Sequence, residues 1–180
     1  MNLEDLLKQK KADVIREWIR ATLGAYPADA AKFYERDKDP FANPVGASVS
    51  DGIHGLFDAL FENVPMHELS QRLERIIQVG CVQEFPPSQA VSFVFLLKGV
   101  IRELFARELE NPRMLAEWLV FETRIDRMAA CAFDVYTGLQ KRISEIRIHE
   151  IKSQVSSLLK RSGIGDGDAD LDPNHEDIST

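Results

Sequence analysis

Four histidines and two cysteines are the side chains of this chain best suited to metal binding, nucleophilic attack or proton transfer. Cys81 and Cys131 stand far apart with no CxxC pair, which excludes a disulfide framework and argues against a thiolate zinc site. Each reads as a small core residue. His54 has Ser50, Asp51, Phe57 and Asp58 as helical neighbours, a mainly polar surround. His67 falls in the first turn of a helix, His149 on a projecting helix and His175 in an acidic tail. No spacing assembles these four into a triad or a metal site, and neither a phosphate-binding glycine loop nor an HExxH pair occurs. The run Asp166-Gly167-Asp168-Ala169-Asp170 opens like a calcium loop, but its sixth position is Leu171 rather than Gly and its twelfth is Asp177 rather than Glu. The expectation is a protein that is not an enzyme and carries neither catalytic residues nor a metal.

The elements that hold these residues are helical. Leu3, Leu7, Val14, Ile15, Trp18, Ile19 and Leu23 recur at three- and four-residue steps, predicting a first helix over 3–23 with Asn2 as its cap. Tyr26-Pro27 closes it, and a short helix follows over 28–35. Asn43-Pro44 opens a third helix to residue 61, since proline has no N–H to lose at the first helical position. Gly46, Gly52 and Gly55 inside it mark either a close helix crossing or simple tolerance. A fourth helix covers 66–82, and Phe85-Pro86-Pro87-Ser88 breaks the chain before a fifth that reaches residue 109. The run from Val91 to Leu97 is apolar on almost every side and belongs at the centre of the core.

Asn111-Pro112 opens the last helix, uninterrupted by proline to residue 161, about 75 Å long at 1.5 Å per residue. Leu115, Trp118, Leu119, Ile125, Met128, Ala129, Ala132, Phe133 and Tyr136 are expected to pack on the body. Beyond them the apolar stripe thins to Leu139, Ile143 and Ile146, then Ile148, Ile151, Val155 and Leu158, with a phase slip between Ile146 and Ile148. A thin stripe on a projecting helix needs cover, and the simplest is its own copy in a parallel homodimer. The predicted fold class is therefore all-α: a globin-like helical bundle over 1–138, a projecting coiled-coil part of the last helix over 139–161, and a disordered acidic tail over 162–180.

Charge narrows the partners. The net charge of −7 is concentrated in the tail, where Asp166, Asp168, Asp170, Asp172, Glu176 and Asp177 meet no Lys or Arg. The remainder gathers no basic face for phosphates, so nucleic acid is not an expected partner. No uncharged apolar stretch is long enough for a bilayer, and the acidic N-terminus lacks the order of a signal peptide. A cytoplasmic location without membrane insertion is expected.

Three stretches, in this order and after Trp18 and Tyr26-Pro27, carry a resemblance. They are Asp39-Pro40-Phe41-Ala42-Asn43-Pro44-Val45-Gly46, then Val82-Gln83-Glu84-Phe85-Pro86-Pro87-Ser88-Gln89-Ala90-Val91, then Ile143-Ser144-Glu145-Ile146-Arg147-Ile148-His149-Glu150-Ile151-Lys152. Over roughly residues 1 to 160 the chain resembles the N-terminal sensor domain of RsbR and RsbRD, the co-antagonists of the bacterial stressosome, a domain that also precedes histidine kinases. The resemblance implies a non-haem globin-like fold, dimerisation and a sensory role. In that family the terminal helix passes its signal into a STAS or kinase domain, whereas here only the acidic tail follows Lys160, and Gly80-Cys81 stands where the family has Arg-Ala. The resulting expectation is a stand-alone sensory module that dimerises and relays a ligand or partner signal through Leu139, Ile143, Ile146, Ile151, Val155 and Leu158 to a kinase, STAS-domain or other regulatory protein. No cofactor is expected. The alternative is a small-molecule or haem carrier with a pocket between the first, third and fifth helices. A haem ligand would be a histidine projecting into an apolar cavity, and His54 is the nearest candidate.

Overall fold

The computed structural model describes residues 1–26, 43–62 and 64–161. The helix expected over 28–35, the start of the 39–46 loop motif, His175 and the acidic tail lie outside them. Among the described residues every regular element is helical, in the order α1 (Leu3–Gln9), α2 (Lys11–Leu23), α3 (Pro44–Ala59), α4 (Met66–Val82), α5 (Pro87–Leu104), a 3-10 turn (Glu108–Glu110) and α6 (Pro112–Arg161). The architecture is the all-α class that the apolar periodicities require and accords with a globin-like bundle.

Short-range chemistry sets most helix starts. The side chain of Asn2 accepts the Asp5 N–H at 2.8 Å, Asn43 accepts the Gly46 N–H at 2.8 Å, and Asn111 accepts the Arg113 N–H at 2.9 Å. Each satisfies a donor that the first helical turn leaves free. Pro44, Pro87 and Pro112 sit at helix starts, where a missing N–H costs nothing. At the end of α4, Phe85 N–H returns to Gly80 O and Glu84 N–H to Cys81 O, the two bonds of a Schellman motif. Its left-handed position is held by Glu84, with φ 56°.

The first helix is not continuous. It breaks at Lys10 (φ −100°, ψ 18°) into α1 and α2. Leu3, Leu6 and Leu7 define one apolar face, whereas Val14, Ile15 and Trp18 define another rotated by about a quarter turn. The kink lets both sets be buried. At the other end of the bundle α5 stops at Leu104 instead of reaching residue 109. Phe105 leaves the helical conformation (φ −117°) with its ring buried. A 3-10 turn then leads into α6.

Within the first unit, Met1–Gln140, α2 lies against α3 and α5, and α4 packs on α3 and α5. Trp18 is fully buried, and its indole N–H donates to the Phe93 carbonyl at 2.7 Å. Burying an indole removes about 200 Å² from water. At 25 cal/mol per Å² that is about 5 kcal/mol of transfer free energy. Trp118, Phe121, Ile125, Met128, Ala132 and Tyr136 are the buried face of α6. Three residues expected there are not buried: Leu115, Leu119 and Phe133 are 44%, 57% and 54% exposed. They fall on a different side of α6 from the Trp118–Ile125–Ala132 row, so one helix cannot bury both sets against the same body. Phe95 and Leu104 of α5 are exposed as well; of the 91–97 run Val91, Phe93, Val94 and Leu97 are core, and Ser92 and Leu96 are half-buried.

The second unit, Lys141–Thr180, is described only for its helical part, the end of α6. Ile146, Ile148, Ile151, Val155, Leu158 and Leu159 are all exposed there, between 44% and 63%.

Candidate functional site

Among the described residues, the side chains whose types suit catalysis or metal binding stand apart from one another. His54 is exposed on α3, and its Nδ1 lies 2.8 Å from the Ser50 carbonyl oxygen. That is a local helix contact and not a ligand pointing into an apolar cavity. His67 is exposed at the start of α4 and His149 is exposed on α6. No group of three or more His, Cys, Asp or Glu suited to a metal forms among the described residues. Both cysteines are free and buried. Cys131 Sγ lies 3.3 Å from the Ser70 hydroxyl, and burial pushes the Cys81 thiol above its ordinary pKa, partly offset by a hydrogen bond from Gln140.

The residues expected to form the relay separate into two groups. Leu139 is already buried within one copy of the body. Ile143 is half-buried. Ile146, Ile151, Val155 and Leu158 are exposed, and Ile148 and Leu159 extend their set. Among the described residues they form the most concentrated run of uncovered aliphatic side chains. Single exposed apolar residues need no explanation, whereas a cluster on one helix is the usual mark of an association surface.

The body offers recesses whose walls sequence periodicity could not reveal. A cleft of ≈ 350 Å³ is lined by Leu60, Phe61, Leu69, Arg124, Arg127 and Met128 among others. Arg124 is held there from three sides. It donates to the Leu60 carbonyl at 3.0 Å and to the Glu4 carboxylate at 2.6 Å, and its guanidinium lies 5.4 Å from the centre of the Phe121 ring. A much smaller cavity of ≈ 20 Å³ lies between α2, α4 and α5 and is lined by Thr22, Tyr26, Ile76, Gly80, Phe85 and Phe93 among others. Its walls come from α4 and not from α3. Beside it the Tyr136 hydroxyl donates to the Phe85 carbonyl at 3.1 Å, and Gln140 Nε2 donates to the Tyr136 oxygen at 3.1 Å. Nothing in the sequence pattern marked this chain of contacts.

No helix among the described residues is long and apolar enough to cross a membrane. The model of one protein family, described as the RsbT co-antagonist protein rsbRD N-terminal domain, matches residues 12–150 of the 180. No curated protein and no solved structure matches the chain.

Proposed function

Because the chain belongs to the family of RsbT co-antagonist rsbRD N-terminal domains, we propose that it is a sensory module acting in the cytoplasm without catalysis of its own. The family makes it a regulatory domain of the stressosome type. In our reading two copies pair through the end of α6, and a ligand or partner bound by the body shifts the pairing of these helices. The shift is read by a kinase, a STAS-domain protein or another regulator. A relay of this kind needs two helix arrangements of similar free energy, each favoured by a different bound state.

The observation that carries the reading is the exposure of Ile146, Ile151, Val155 and Leu158 on one helix. About half exposed, each of these side chains forgoes on the order of 1 kcal/mol relative to full burial. Beyond the phase slip, the three-, four- and three-residue steps of Ile148, Ile151, Val155 and Leu158 fit the seam of a two-stranded coiled coil. Light scattering on the full chain tests it. The wild type should elute at twice the mass of one chain, and the double variant Ile151→Glu/Val155→Glu at the mass of one with its helical content kept. A wild type that is monomeric at micromolar concentration overturns the pairing. Cysteine crosslinking at Ile143 and Val155 tests the relay: the same pattern under every ligand and partner condition overturns the switch.

A further inference from the structure

Thr22 of α2 is 4% exposed, and its hydroxyl oxygen has no hydrogen-bond partner. A threonine inside a helix ordinarily returns its hydroxyl to the carbonyl four residues back, here Trp18. Thr22 does not. A buried hydroxyl without a partner is costly enough that native proteins seldom leave one. Thr22 is one of the residues that line the ≈ 20 Å³ cavity between α2, α4 and α5. A single water needs roughly 10–15 Å³ on that measure, and two to four polar groups to bind.

The other polar groups of the wall have hydrogen-bonding capacity to spare. Gln89 Nε2 donates to the Ala25 carbonyl at 3.1 Å, and the Ser92 hydroxyl donates to the Gln89 carbonyl at 2.8 Å. Ala25, Gln89 and Ser92 all line the cavity, and a carbonyl or hydroxyl oxygen that makes one such bond can accept another. The rest of the wall is Tyr26, Ile76, Gly80, Phe85, Ala90 and Phe93.

Phe85 ties this cavity to α6. It lines the cavity, and its ring lies 5.0 Å from the Tyr26 ring, tilted by 57°. Its carbonyl accepts the Tyr136 hydroxyl, whose oxygen accepts Gln140, and Gln140 is the last residue of the body. The turn that carries Phe85 contains Glu84 in the left-handed region, so the chain is strained beside the cavity.

We propose that the Thr22 cavity is a binding site for one water-sized molecule that both donates and accepts hydrogen bonds, and that its occupancy fixes Phe85 and thereby the Tyr136–Gln140 latch on α6. Filled, the cavity holds the Phe85 ring in place and its carbonyl towards Tyr136. Emptied, the ring loses that contact and tilts towards the space, and the carbonyl turns away from the phenol. The site stands on the cavity alone, whereas the role of the latch rests on the relay reading above.

The test uses isotope-labelled full-length protein and water itself as the probe. In the wild type, magnetisation transfer from water should reach the Thr22 methyl and the Phe85 ring protons with the sign of a long-lived contact. Thr22→Val, which keeps the shape and removes the hydroxyl, should lose the Phe85 transfer and shift the amide signals of Tyr136 and Gln140. Thr22→Ser should keep both. Tyr136→Phe should keep the water contact while Thr22→Val no longer moves Gln140 in that background. Absence of transfer to Phe85 in the wild type, or the same transfer in Thr22→Val, overturns the site. A lost water contact with unmoved Tyr136 and Gln140 signals overturns the latch. Light scattering on the same samples separates the two readings: a monomer that retains the water contact supports the site and overturns only the pairing.

Discussion

A β-carbon at Gly52 would stand 2.5 Å from Cγ1 of Ile76, so α3 and α4 cross at this point with no room for a methyl group. Ile76 is β-branched and its Cγ1 is held close to the backbone, so it has little freedom to retreat. Gly55, one turn further along α3, has only the Arg72 side chain near its would-be β-carbon, at 3.9 Å. The two glycines thus separate the alternatives that the sequence left open: Gly52 serves a crossing, Gly55 is tolerated. Gly52→Ala should cost about 1–3 kcal/mol, and Gly55→Ala should gain about 0.5–1 kcal/mol of helix propensity. Urea unfolding of the two variants reads the difference directly, and equal effects would show the crossing to be loose.

Glu84 occupies the left-handed position of the Schellman turn, with φ 56°. Glycine takes that conformation without a steric penalty. Glu84→Gly should therefore raise stability by about 1 kcal/mol. Glu84→Ala, which keeps a β-carbon, should bring no such gain. Thermal melts of both variants decide whether the turn stores strain.

Cys81 is buried, and desolvation raises its thiol pKa while the Gln140 hydrogen bond opposes the rise. The thiolate is the reactive form, so native protein should react with iodoacetamide at pH 8 at least tenfold more slowly than protein in guanidinium. Gln140→Leu removes the opposing bond and should slow native labelling further. The raised value also gives stability a sign: the contribution is complete below the ordinary thiol pKa and is lost as the pH climbs through the raised one. Peptide mapping of the labelled cysteine against pH checks both statements, and fast native labelling at pH 8 would contradict them.

Lys98 lies 2.7 Å from Asp126 and 3.3 Å from Glu122, joining α5 to α6. Its pKa is raised above the ordinary lysine value, chiefly by the hydrogen bond with Asp126, with burial opposing. The stability this gives is whole at neutral pH, where lysine is charged in both states. It is lost only as the pH rises through the raised value. Lys98→Met should show a smaller fall in melting temperature between pH 9 and about 11 than the wild type. Parallel slopes would mean that the ion pair contributes nothing.

Much of the fold was legible because it is written in short-range chemistry. Asn2, Asn43-Pro44 and Asn111-Pro112 act within three or four residues of themselves, and each caps the helix expected from it. The loop stretches that carried the family resemblance are likewise local, and the family they indicated matches residues 12–150. What escaped depends on several helices meeting. Apolar identity alone placed Leu115, Leu119 and Phe133 inside, yet the body reaches only one side of α6, and that side is chosen by Trp118, Ile125 and Ala132. The break at Lys10 shows only when the apolar phases of residues 3–7 and 14–18 are compared separately. Thr22 reads as an ordinary helical threonine, because its lack of a partner is a property of three helices at once.

The opening residues are stapled across the molecule. The Leu3 N–H donates to the Glu117 carboxylate at 2.7 Å, and Glu4 pairs with Arg124, which in turn holds the Leu60 carbonyl. An affinity handle fused ahead of Met1 must therefore thread its linker past Glu117 and Arg124 and crowds that staple. A fluorophore carried on a cysteine at Asn2 would, by the same logic, report whether α6 still grips the start of the chain.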